Sequence, residues 1–163
     1  VAGVEDAVVR LRSRSARAPE GARAAADAMA QAFTRGVSEN ELRRYTHSPG
    51  TSTTSPPGQP PALVTGTLRR SIRVTPAAGG PERWTSSVRP TVVYARIQEK
   101  GGDIYPVRAK MLRFAVDGQA RFAKHVHLPA RPYMAPAAER MKADGSLRRA
   151  AQAAFDEVVG RGR

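Results

Sequence analysis

The chain has 163 residues, 40% of them hydrophobic and 6% aromatic, with a formal net charge of +13. That length fits one domain, or one domain with arms, and so few aromatics suit a protein that gains stability from neighbours. The lack of cysteine excludes disulfides and Cys-based metal sites, and the excess of cations directs attention to acidic partners or nucleic acid.

The opening "VAGVEDAVV" carries acids and no apolar run, so it is not expected to be a signal peptide. Val4, Val8 and Leu11 recur at helical spacing among Arg10, Arg12 and Arg14, which predicts a short amphipathic helix. Pro19 is expected to interrupt it, because Ala18 before a proline is biased away from helix and Pro19 suits a first helical position. A second helix then runs through Ala22, Ala25, Ala26, Met29 and Phe33, its small alanines letting another backbone approach. Gly36 bends or ends it, and "SENELRRY" restarts a helix with Ser38 as N-cap and Glu41 three residues on, a capping box.

Residues 48–62 hold five prolines and two glycines among Ser and Thr, which neither a ladder nor a helix accepts. Two readings stay open: a flexible surface loop, or an arm that orders against another subunit. Pro56-Pro57 and Pro60-Pro61 would keep such an arm extended and lower its ordering cost. Thr65-Gly66-Thr67 turns the chain and ties the arm to the body through Leu68 and Ile72, with Arg69, Arg70 and Arg73 outside.

Ile72 and Val74 begin a strand, "AAGGPE" turns, and Trp84, Ser86 and Val88 alternate with Arg83, Thr85, Ser87 and Arg89, which predicts a hairpin. A helical turn is expected over Tyr94–Lys100, ending at Gly101. Leu112, Phe114 and Val116 form a strand, Asp117-Gly118 a hairpin turn, and Phe122, Val126 and Leu128 the return strand, with both phenylalanines inward. Pro129 and Pro132 stop it. A helix follows from "YMAPAAERMKA", broken near Gly145, and a last helix places Leu147, Ala151, Ala154, Phe155 and Val158 on one face. The expected fold is α+β: an antiparallel sheet of about four strands with N-terminal and C-terminal helices packed on it, plus a long Pro/Ser/Thr-rich extended loop. It is read as a single domain with a helical region 1–47, an arm 48–62, a sheet region 63–129 and C-terminal helices 130–163.

Few residues suggest chemistry. His125 and His127 share one face of a strand, but no HExxH or Cys pair completes a metal site, so neither they nor His47 are expected to bind metal. Between Lys124 and Pro129 the two imidazoles can instead lend pH sensitivity to an interface. Glu99 and Asp103 are flanked by Arg96 and Lys100 and read as solvated acids rather than a catalytic pair. Gly101-Gly102 reads as a turn, not a phosphate cradle, and Ser71, Ser86 and Ser87 lack a G-x-S-x-G elbow. Neither catalysis nor a cofactor is expected.

The charge is uneven: thirteen Lys or Arg oppose four acids from Val64 to Ala135, whereas 48–63 carries none. Tyr94, Tyr105, Phe114 and Phe122 could stack on bases beside those cations, but inward phenylalanines favour core. No helix-turn-helix, zinc finger or RNP motif is present.

Three segments, in order, carry a resemblance. "SPPGQPPALVTGTLRRSIRV" resembles a P-G-x-P-P…T-G-x-L-x-x-S-I segment, "YARIQEKGG" a Y-A-x-x-x-E-x-G segment, and "PARPYMAPA" a P-A-R-P-[FY]-[ML]-x-P-A segment before a final helix. All three occur in the neck and tail-completion proteins of long-tailed double-stranded DNA phages, a family akin to lambda's minor tail protein Z. The resemblance covers roughly residues 55–155 and rests on order and spacing; the N-terminal region matches nothing specific. It implies a non-catalytic α+β virion subunit, assembled in the host cytoplasm into a hexameric or dodecameric ring at the head–tail junction. Such a ring would touch stopper, terminator or tail-tube proteins and let genomic DNA pass through its lumen, with no membrane involved.

On that reading residues 48–62 form a joint between subunits, and Arg131-Pro132-Tyr133-Met134 fixes the final helix against the sheet. The candidate assembly residues are then Pro56, Pro57, Pro60, Pro61, Thr65, Gly66, Leu68, Arg69, Arg70, Arg131, Pro132, Tyr133 and Met134. DNA must slide through such a lumen, so most of the excess charge is expected to face acidic neighbouring proteins. The alternative is a basic nucleic-acid-binding protein of phage or bacterial origin; a hydrolase is the remote third.

Overall fold

A computed structural model describes residues 2–48 and 55–161. The first half of the expected arm, residues 49–54, lies outside the described residues. The chain forms two compact units, each assembled from separated segments: Val1–Thr34, Arg73–Arg89 and Arg140–Arg163 make the first, Arg35–Ile72 and Pro90–Glu139 the second.

Helix α1 spans Ala2–Gly36 without interruption, 35 residues or about 52 Å. The expected break at Pro19 does not occur. Proline removes one backbone donor, but the alanine-rich stretch after it has the highest helix propensity available and carries the helix on. Nor does a new helix start at Ser38. Gly36 keeps right-handed helical angles, so the chain continues into a π-helical turn, Val37–Glu41, closed by the Leu42 N–H donating to the Val37 carbonyl at 3.0 Å. Ser38 and Glu41 sit inside that turn, so no capping box forms. Early in α1 the amphipathic face stays open, with Val8, Val9 and Leu11 exposed by 39%, 64% and 65%.

In the first unit α1 meets α5 (Ser146–Gly160) at Gly21, where an added Cβ would lie 2.9 Å from the Phe155 and Val159 side chains. Only the missing side chain permits that approach. Strands β1 (Ile72–Gly80) and β2 (Arg83–Pro90) form the expected hairpin, and β2 half-buries Trp84, Ser86 and Val88 in alternation with exposed neighbours. Asp27 of α1 accepts the Ala77 N–H at 2.6 Å, and the Arg23 guanidinium lies 5.8 Å from the Trp84 ring centroid. The break near Gly145 is as read: its φ is +71°, and α5 begins at the next residue. Asp144 tethers that start by accepting the Ser146 N–H at 2.7 Å. Hydrogen bonds from Ser146, hydroxyl and backbone, hold the Asp144 carboxyl below its ordinary range.

The second unit buries Val37, Leu42, Ile72, Ala95, Tyr133 and Ala137. It contains the short helices α2 (Thr67–Arg70) and α3 (Ala95–Lys100), and α4 (Met134–Ala143) begins in it. Four strands complete it: β3 (Gly102–Ile104), β4 (Leu112–Val116), β5 (Gln119–Ala123) and β6 (Val126–Leu128).

The expected four-stranded sheet is absent; the described strands form three separate two-stranded ribbons, β1–β2, β3–β6 and β4–β5. The expected return strand splits at Lys124-His125. Its first part pairs antiparallel with β4, Phe114 opposite Arg121 and Arg113 opposite Phe122. Its second part pairs with β3, Asp103 opposite His127. The Asp117-Gly118 turn is as read, with φ of +50° and +76°. The inward phenylalanines are not: Phe114 is 39% and Phe122 59% exposed, on opposite faces of the β4–β5 ribbon. Alternation places a side chain on one face of a strand; it does not supply a layer to cover that face.

Candidate functional site

The three segments that carry the resemblance, all but Arg73 and Val74 at the end of the first, converge in the second unit. The centre of the arrangement is Glu99, on the last turn of α3. Its carboxylate accepts the N–H groups of Tyr133 at 2.8 Å, Met134 at 3.0 Å and Ala135 at 2.9 Å. Those are orphan donors at the start of α4, and an anion there also meets the positive end of the helix dipole. Next to it the Arg131 N–H donates to the Gln98 carbonyl at 2.7 Å.

Gly101 ends α3 with φ +68°, and a Cβ there would stand 2.6 Å from the Ala130 backbone nitrogen. The glycine of "YARIQEKGG" thus lets the "PARPYMAPA" backbone pass against it.

The third segment joins the same place. The Gly58 N–H donates to the Ala130 carbonyl at 2.8 Å, and the Arg131 Nε donates to the Ser55 carbonyl at 3.2 Å. Further on, the Leu63 N–H donates to the Tyr45 carbonyl at 2.7 Å, within a short parallel bridge between Thr46 and Leu63. Over 55–62, then, the expected arm lies on its own unit, with Ser55, Pro60 and Pro61 buried. The backbone hydrogen bond to Ala130, the side-chain hydrogen bond from Arg131 and the burial of Pro60 and Pro61 keep it there.

The candidate assembly residues divide accordingly. Pro60, Pro61, Gly66 and Tyr133 are buried in their own unit and act on its fold; Leu68, Arg69, Arg131, Pro132 and Met134 are half-buried. Pro56, Pro57, Thr65 and Arg70 remain exposed. Gly66 turns as read, at φ +73°, and the Thr65 and Thr67 hydroxyls lie 2.9 Å apart across it. Arg69 pairs with Glu39 at 3.5 Å beside a 170 Å³ pocket that Leu42, Pro61, Leu63, Leu68 and Tyr94 help to line. Burial is the main cause that pushes the Tyr133 phenol well above its ordinary range, with the Glu99 carboxylate adding to it, so it stays protonated.

Glu99 and Asp103 do not act as a pair. Glu99 is taken up by α4, while one Asp103 oxygen, Oδ1, meets His125 Nε2 at 2.7 Å and His127 Nδ1 at 2.8 Å. Those hydrogen bonds hold the Asp103 carboxyl below its ordinary range. Tyr105 stacks on His125 with centroids 4.9 Å apart. The cluster is open to solvent, and among the described residues no group of three or more His, Asp or Glu is disposed to hold a metal ion. Sequence reading saw the His-x-His face but missed Asp103 as its partner, because only the β3–β6 register brings them together. It missed the Glu99 cap for a similar reason: the acid and the helix it caps are more than thirty residues apart.

No family model, curated protein or solved structure matches the chain. Among the described residues, no helix is long and apolar enough to cross a membrane.

Proposed function

We propose that the chain is a structural virion protein of a long-tailed phage, a subunit of a ring at the head–tail junction that joins the head connector to the tail and lets DNA pass. One observation carries this reading. The three segments of the resemblance, spread over residues 55–137, meet through Glu99, Gly101, Ala130 and Arg131 as mutual supports of one unit. Segments that hold one another in place in this way are what a structural scaffold needs, and a scaffold is what the resemblance concerns. On this reading the chain performs no bond-making chemistry, and its exposed Pro56, Pro57, Thr65 and Arg70 belong to contacts between subunits.

Electron microscopy of the purified chain tests it. Closed rings with a central opening are expected, at a mass that is a whole multiple of 17.5 kDa. A chain that stays monomeric at high concentration, both alone and with phage connector and tail-tube proteins, would sink the reading.

A further inference from the structure

We propose that the β4–β5 ribbon is a contact element for duplex nucleic acid, seated in the major groove between the two phosphate rows. Five cations lie on or beside it: Arg108, Lys110, Arg113, Arg121 and Lys124, all exposed. None of them takes part in an ion pair among the described residues. Asp117, at the turn, is the one acid between positions 104 and 138. A ribbon so charged fits a polyanion.

The register decides which polyanion. Arg113 shares a face with Phe122 and Arg121 the opposite face with Phe114, so positive charge and an exposed ring occur on both sides. A flat acidic protein surface neutralises one side and leaves the other solvated. A groove flanked by two phosphate rows reaches both. Two antiparallel strands are also what a major groove admits, and strands of five residues span about 17 Å. Among the described residues neither outer edge carries a further strand, so backbone N–H groups there remain available to phosphate oxygens. The phenylalanines supply apolar contact to base edges such as thymine methyls. The inference stands apart from the ring reading: DNA can cross a ring without this contact, and the contact needs no ring.

Fluorescence anisotropy with a labelled duplex of mixed sequence, titrated at several salt concentrations, tests it. The unmodified chain is expected to bind with an affinity that falls steeply with salt. The double variant Arg113→Glu/Arg121→Glu is expected to bind about 10-fold or more weakly, and the log–log salt slope to shrink by about 2, close to one per lost phosphate contact. Lys110→Ala/Lys124→Ala, outside the paired strands, should lower affinity and slope in the same direction without touching the ribbon's pairing. Arg10→Glu/Arg12→Glu on α1 makes an equal change in net charge and should cost far less. The proposal is overturned if the duplex does not bind, if the α1 variant loses as much as the ribbon variant, or if polyglutamate of equal charge displaces the duplex as well as unlabelled DNA does.

Discussion

Glu99 holds three backbone donors with one carboxylate, two on Oε2 and one on Oε1. Removing it leaves the first turn of α4 without partners and frees the join to 130–135. Glu99→Ala is expected to destabilise the second unit by about 2 kcal/mol, the upper range of a helix cap with charge-assisted bonds. Glu99→Gln keeps one acceptor oxygen and should cost less; urea unfolding of the three proteins gives the order. Gly101 offers a second test. Gly101→Ala combines a left-handed φ with a Cβ pressed on the Ala130 nitrogen, whereas Gly118→Ala meets only the backbone strain, because nothing lies within 4 Å. The former should cost about 2 kcal/mol or more, the latter about 1 kcal/mol. Equal losses would mean that the close passage at Gly101 does not matter. Asp103 sets a pH dependence. Its folded pKa lies below its ordinary 3.8, so the stability it contributes is fully present above that pH and is lost as pH falls through the lower folded value. Acid unfolding of Asp103→Asn should therefore lack that part of the decline, with the difference from the unmodified chain appearing below pH 3.8.

At the scale of elements, Pro19 inside α1 is the clearest conflict between local preference and outcome. A helix of this length with one missing donor should gain from its repair. Pro19→Ala is expected to raise thermal stability, by at most about 3 kcal/mol, with no loss of helical signal at 222 nm. A fall in stability would show that the proline relieves a strain the flanking turns impose. The same conflict explains what was legible in the sequence. The breaks at Gly66, Gly101, Gly118 and Gly145 were readable, because a left-handed residue is a local demand that glycine meets. The Asp117-Gly118 turn was readable from its residue types and the face of α5 from spacing, whereas the first hairpin turn is shorter than read, because Ala77–Gly80 stay in β1 and only Pro81-Glu82 turn. Pro19 misled because one residue's preference was set against the summed propensity of a dozen alanine-rich neighbours. The four-stranded sheet misled because pairing is not local: Lys124-His125 offers no turn signal, yet β5 and β6 part there to join different strands. Of the site, the residue types of all three segments were visible. Their mutual hydrogen bonds were not, since nothing in a string of residues says that Glu99 faces the N–H of Tyr133.

The whole molecule carries +13, and any ring must bring such copies together. Like charges of that size repel over a screening distance of about 10 Å in 0.1 M salt, which shrinks to about 3 Å at 1 M. Self-association through uncharged contacts, such as the exposed Pro56-Pro57, should therefore strengthen as salt rises. Contact with DNA obeys the opposite rule, because released counterions drive it and added salt opposes it. The two proposed activities thus carry opposite signs in one titration. Sedimentation velocity at low and high salt is expected to show the chain shifting toward larger species as salt increases, while duplex binding weakens over the same range. If assembly instead dissolves with salt, the copies are held by ion pairs between them, and the cations assigned to the ribbon's DNA contact must be sought among those pairs.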